Sequence, residues 1–252
     1  MDLFEILAII GAFAWVYPMA IWMNKLFTKT QVEILNHKEL EIGFTSHGPI
    51  VNLNMAFSAE HKDAFIKKVQ LTIRHEKNET SVFHWEWFEE ILLEMDIPES
   101  GIIPYKKNQK AIAIKVPTET LTEKKVGFQN KKFKEEYSKL FSATNETYIN
   151  LTSNETDHTQ IKTTKEYNDF NNLFKNHFPW KAGKYDGTIE VFVADRKTTF
   201  KESFSFELSP LDVKTLEQNL KTCQDLIENH FVILDPNYRA DWKWANPMDL
   251  EK

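Results

Sequence analysis

Phe178-Pro-Trp-Lys-Ala-Gly-Lys-Tyr-Asp-Gly-Thr-Ile-Glu-Val-Phe-Val193 decides the fold class. In its second half apolar and polar residues alternate, so that Ile189, Val191 and Val193 share one face, the period of a half-buried strand. A polar turn at 195–197 follows, and residues 200–208 return with Phe204, Phe206 and Leu208 on one face. Working outward, the same period recurs at 49–57, with Val51, Leu53, Met55 and Phe57 alternating with Asn52, Asn54 and Ala56. It recurs again at 69–75 and at 81–88, where Phe83, Trp85 and Trp87 oppose His84 and Glu86. Asn78-Glu79 between these last two reads as a hairpin turn, and 111–117 reads as a further short strand. The chain is therefore expected to be mainly β.

The step Ala182-Gly183-Lys184-Tyr185 resembles the start of a late strand in immunoglobulin-like sandwiches, where a tyrosine corner sits. The resemblance implies an immunoglobulin-like or related β-sandwich with peripheral helices, and it implies no activity. With Cys223 as the single cysteine there is no Cys…Trp…Cys frame and no intramolecular disulfide.

Helices are expected around this body. Residues 165–177 are amphipathic through Tyr167, Phe170, Leu173 and Phe174. Ser209-Pro210 supplies an N-cap and a first helical position, with Asp212 in the first turn and a stripe of Leu216, Leu220, Cys223 and Ile227 behind it. Residues 132–141 carry Phe133, Tyr137 and Leu140 at helical spacing, and the Asn/Thr-rich segment 142–164 after them reads as a crest. The whole of 118–164 is the most polar part of the body and is expected to be an insertion in a domain spanning 41–234. Residues 89–95 drift towards helical spacing before Pro98, Gly101 and Pro104 break the pattern.

At the N-terminus, Ile6 to Asn24 carries no charged side chain. As a helix it rises about 28 Å, close to the hydrocarbon thickness of a bilayer. Residues 1–25 are read as a transmembrane anchor, with the bilayer as the partner of residues 6–24, and 26–40 as a juxtamembrane linker. Asp2 and Glu5 precede the helix while Lys25 and Lys29 follow it, which places the C-terminal domain in the cytoplasm under the positive-inside rule. Four sequons, at Asn78, Asn145, Asn150 and Asn154, argue for the opposite side, but about two are expected by chance from the composition. The residues before the apolar run are acidic, unlike the basic start of a cleaved signal.

A net charge of -6 and a pI near 5.8 argue against nucleic acid as a partner, because phosphate neutralisation supplies most of that affinity. Seven glycines include no GxGxxG or GxxxxGK arrangement, and neither a GxSxG elbow nor HExxH is present. No catalytic, cofactor-binding or metal-binding residue is assigned. His75, His84 and Glu86 lie on adjacent strands of one hairpin, where converging side chains would bind a metal, but alternation puts His75 in phase with the core residues Val69, Leu71 and Ile73. Cys223 with His230 reads as packing, since an apolar stripe raises a thiol's pKa. Glu89 and Glu90, with Glu94 and Asp96, form a carboxylate run that suits a solvated element end.

Tyr238, Trp242 and Trp244 lie in the tail 235–252, where no periodic pattern buries them. Aromatics of that kind either clamp a tail back on its domain or anchor an interface, and these three are the candidate partner-binding residues. The expected function is a single-pass membrane-anchored accessory or scaffold protein that binds another protein at the membrane surface. The competing readings are a membrane-tethered enzyme, for example a metal-dependent hydrolase, and an oligomerising membrane effector.

Overall fold

The computed structural model describes residues 14–23, 27–97, 101–154, 157–194 and 199–247. Helix α1 occupies 14–23. The body then runs β1 (Gln31–Thr45), β2 (Gly48–Glu60), β3 (Ala64–His75), β4 (Thr80–Ile97), β5 (Gly101–Lys110), β6 (Ile114–Val116) and β7 (Leu121–Gln129). After α2 (Lys131–Ser153) come a 3-10 turn (His158–Thr163), α3 (Lys165–Asn176), β8 (Gly183–Val193), β9 (Phe200–Leu208), α4 (Pro210–Glu228), a π turn (Asn229–Ile233) and β10 (Trp244–Ala245).

The protein is mainly β, and its strands form one antiparallel sheet in the order β10-β1-β2-β7-β4-β3-β8-β9, with β5 added to β4 and β6 to β3. The strands bond into a single sheet that curls over. β7 and β4 bridge what would be its halves, and β9 packs against β1 from the far end of the order. The inner face is the alternating set read from the sequence: Val51, Leu53, Met55 and Phe57 on β2 lie beside Val126 and Phe128 on β7, and Val69, Leu71 and Ile73 on β3 beside Ile189 and Val191 on β8, all of them buried. The Tyr185 hydroxyl donates to the Lys181 carbonyl at 2.8 Å and accepts from the Lys181 N–H at 2.8 Å.

Helices close the curl. Phe44 of β1 reaches Phe133 of α2 and Phe174 of α3 edge-on, with ring centroids 6.2 and 6.3 Å apart. The buried side of α3 consists of Tyr167, Phe170, Leu173 and Phe174, as expected. Helix α4 opens on a capping box between Ser209 and Asp212 and crosses β1 and β9.

Several expectations change. The stretch read as a polar insertion contains β7, a central strand between β2 and β4, and its Asn/Thr-rich part up to Ser153 is helix. Residues 89–95, read as drifting towards a helix, continue β4, which turns back into β5 as a long ribbon. Pro104 is tolerated there because, among the described residues, β5 pairs with β4 alone. The linker expected at 26–40 is strand from Gln31 onward, opposite β2. Among the described residues no helix is long and apolar enough to cross a membrane. Residues 14–23 of the expected span are helical, and 6–13 and 24 lie outside the described residues, as does the turn expected at 195–197.

Candidate functional site

The tail aromatics are held on the domain. Trp244 pairs across to Gly43 and Ala245 to Ile42, which makes β10 the edge strand beside β1. The Trp244 ring lies over Gly43 so closely that a Cβ on that glycine would stand 2.3 Å from Cζ3. Trp242 packs on the core, Tyr238 stays half-exposed, and the Asn219 amide ties Lys243 to α4. The contacts of Trp242 and Trp244 are those of a clamp.

The histidines do not converge. His75 is buried on the inner face, its ring 4.7 Å from that of Tyr185. Its Nδ1 accepts from the Lys77 N–H at 3.3 Å, which leaves Nε2 to donate to the Ala182 carbonyl at 3.3 Å. His84 and Glu86 alternate with the buried Phe83 and Trp85 and so take the outer face, where Glu86 is paired with Lys134. Burial, with Lys68 and Lys131 nearby, lowers the His84 pKa below its usual value. Among the described residues no group of three metal-ligating side chains forms.

Cys223 is buried in α4 and burial pushes its thiol far up from the usual range. His230 stands on Phe231 and Phe141 instead. Glu89 and Glu90 are strand neighbours and therefore point to opposite faces: Glu89 is in register with Lys125, whereas Glu90 accepts from Lys124 Nζ at 3.1 Å. Glu94 and Asp96 are placed by the backbone alone.

What the strand order does assemble is a polar groove of about 1030 Å³ along β1, β2, β7 and β4. Cross-strand partners build it. Asn54 donates to Glu39 at 3.2 Å within it, while Lys125 on its wall donates at 2.6 Å to Glu41, which with its other donor, Asn52 at 3.1 Å, lies beyond the lining. Leu35 and Leu121 form exposed apolar rims, and Glu123 adds a carboxylate beside Lys124 and Lys125. Asn52 Oδ1 is buried without a hydrogen-bond partner in this network, an exception among buried polar atoms. The groove sets the carboxylates of Glu39, Glu89, Glu90 and Glu123 beside the ammonium groups of Lys124 and Lys125. Sequence reasoning identified Asn52 and Asn54 as a polar strand face. It missed the groove because β7, which supplies one wall, was hidden in charged sequence.

Compared with family models and with curated proteins, the chain matches none. Among solved structures it is similar to a family 123 glycoside hydrolase from Clostridium perfringens described for glycolipid glycan hydrolysis, at 10% identity and a TM-score of 0.34. The match covers 72% of this chain and 28% of that one, so this chain spans little more than a quarter of that protein. A likeness of that size leaves the function to the residues.

Proposed function

We propose that the chain is a single-pass membrane-anchored accessory or scaffold protein, its β domain on the cytoplasmic side and binding another protein at the membrane surface. The observation that carries the reading is α1. Its described residues are exposed all round, with Trp15 and Tyr17 at 74% and Trp22 at 60%, and the domain covers none of them. Burying an exposed apolar side chain gains about 1.5–3 kcal/mol, so a helix of this composition is stable only under a cover, and the uncharged span 6–24 suits a bilayer. We read the facing halves of the curled sheet, together with the Tyr185 corner, as immunoglobulin-like, an architecture that commonly presents faces to other proteins. The groove on β1, β2, β7 and β4 is the face we assign to the partner, with the exposed part of Tyr238 and the Trp242 strap at the domain's edge as a secondary contact.

Two measurements test this. Alkaline carbonate should leave the full-length protein in the membrane pellet, and extraction into the supernatant would remove the anchor. Detergent-solubilised protein should co-purify with a stoichiometric protein partner that Leu35→Lys with Glu123→Lys abolishes while the fold, read by circular dichroism, persists. A partner that tolerates this variant but is lost on Tyr238→Ala with Trp242→Ala would move the site to the tail. A clean monomer that hydrolyses a substrate would replace the scaffold reading with the enzyme.

A further inference from the structure

The sheet has a gap at the start of β4. β7 meets β4 at His84, opposite Gln129, and then leaves the sheet through Asn130 into α2. β3 pairs with Thr80, Ser81, Val82 and Phe83 on one side, but on the β7 side no strand pairs with these four among the described residues.

Register fixes which backbone groups are left open. The His75 N–H donates to the Glu79 carbonyl at 2.9 Å, so these two form a hydrogen-bonded pair, and Ile73 with Ser81 and Leu71 with Phe83 repeat it at every second position. Thr80, Val82 and His84 therefore aim their N–H and C=O groups away from β3. Gln129 stands opposite His84. The Val82 carbonyl is met by the Asn130 side chain, whose Nδ2 donates at 3.4 Å, longer than an ordinary N–H···O bond. The Val82 N–H and both backbone groups of Thr80 face the gap, and the Val82 side chain is 39% exposed. An edge of this kind is a template for another strand.

Openings flank the edge on both faces. One, of about 420 Å³, passes Thr80, Val82 and His84 and reaches Lys131 and Lys132 of α2. The other, of about 210 Å³, lies between Ser81, Pro49, Phe178 and Pro179. Ser81, in phase with the buried Phe83, borders both openings, as does Asn130. An extended chain laid along the edge sends alternate side chains to opposite faces, so each opening receives one set. Pro49, Phe178 and Pro179 suit an apolar residue. At the other opening Lys131 is paired with Glu135, whereas Lys132 has no ion pair among the described residues and suits an acidic residue. The chain's own tail leads elsewhere, because β10 runs from Trp244 opposite Gly43 to Ala245 opposite Ile42, towards the start of β1 and away from the gap.

We infer that the open edge of β4 at Thr80–Phe83 is a strand-addition site, where a short extended segment of a partner protein, with an apolar residue against Ser81 and an acidic one against Lys132, occupies the place that β7 vacates at Asn130. Main-chain bonds would supply affinity and the two openings specificity. The site is separate from the groove and needs no membrane anchor: β1 starts opposite the end of β2 at Glu60, whereas the gap lies beside the start of β2 at Pro49.

The test pans the full-length protein in detergent micelles against a displayed library of random heptapeptides, with Val82→Pro as the counter-target. Proline there removes the N–H that faces the gap and no bond to β3. Enriched peptides should bind this variant about tenfold more weakly, the loss that follows removal of a main-chain hydrogen bond, while circular dichroism shows the sheet intact. N-methylation of the peptide should abolish binding at alternate positions and spare those between. Asn130→Ser keeps a side-chain cap on α2 but withdraws Nδ2 from the Val82 carbonyl, and should tighten binding, which damage to the fold does not do. Lys132→Glu should weaken it. Leu35→Lys with Glu123→Lys should leave it unchanged, and loss of the peptide in that variant places it in the groove and overturns the inference. No enriched peptide, or peptides indifferent to Val82→Pro and to N-methylation at every position, overturns it too. A concentration-dependent dimer of the peptide-free protein that Val82→Pro dissolves assigns the edge to a second copy of the chain and overturns the partner segment.

Discussion

Asn219 holds Lys243 through both ends of its amide: Nδ2 donates to the Lys243 carbonyl at 2.7 Å, and Oδ1 accepts from the Lys243 N–H at 2.8 Å. Asn219 is fully buried in α4, so it acts as a side-chain substitute for a strand edge. Its amide satisfies the backbone of the residue before β10. Asn219→Leu leaves that N–H and that carbonyl unpaired and is expected to cost about 1–3 kcal/mol. The tail should become cleavable at Arg239, which is exposed. Limited trypsin digestion at low protease compares the two chains, and equal resistance would show that the tail is held without this clamp.

The neighbouring contact makes a separate prediction. Gly43 has room only for a hydrogen, because the Trp244 ring takes the place of a side chain, with Cζ3, Cε3 and Cη2 all within 2.9 Å of a built Cβ. Gly43→Ala should displace Trp244 and lower stability by about 1–3 kcal/mol, as overpacking does. Trp244→Ala in the same chain should make the added methyl harmless. A thermal melt of the two single variants and the double variant reads the coupling, and simple additivity would mean that the ring does not rest there.

How far the sequence reached follows from which residues carried a pattern. The inner-face alternation on β2, β3, β8 and β9 was plain, since apolar side chains buried on one face leave a period of two in the text. The α3 stripe and the Ser209 cap were equally legible. β7 was not, because its first half, Leu-Thr-Glu-Lys-Lys, lines a groove and keeps polar residues on both faces, and only Val126-Gly-Phe128 reads as core. The β4 bulge, where Trp85 and Trp87 lie opposite the adjacent Phe128 and Gly127, shifts the alternation and puts Phe88 inside. The second half of α2 looked like a crest because Thr is a poor helix former. In the fold, however, the hydroxyls of Thr144, Thr147 and Thr152 donate to carbonyls four residues back. The candidate groove depends on four strands that meet only in space, so no local spacing announced it.

Cys223 should behave as a core residue. Its thiol is enclosed by α4 and the sheet, and burial pushes its pKa upward, so at neutral pH it holds its proton and resists thiolate chemistry. Native protein should react with Ellman's reagent no faster than it unfolds, and fully only in denaturant. Rapid labelling of the folded chain would show that the stripe of α4 opens, and would reinstate a reactive role for the thiol.

His84 gives the fold a pH dependence of definite sign. Burial is the main cause of its lowered pKa, with the positive Lys68 and Lys131 adding to it, so the folded state favours the neutral ring. A folded pKa below the unfolded value of 6.5 means that the unfolded chain binds the proton more readily. The contribution is complete above that value and is lost as pH falls through the folded pKa. The urea midpoint should therefore drop between pH 7 and pH 5. This window lies above the one in which Asp63 and Glu79, whose pKa values are lowered by hydrogen bonds from Thr118 and Lys181, lose their own contribution. His84→Asn should shrink the drop in the upper window, where His47, its pKa also lowered by burial, still contributes, and leave the lower one in place. Lys68→Met should move the ring's titration, followed by the His84 Cε1–H resonance, towards higher pH. A His84 titration at or above its ordinary value would show that the outer face around Gln129 is wet enough to remove the burial on which this prediction depends.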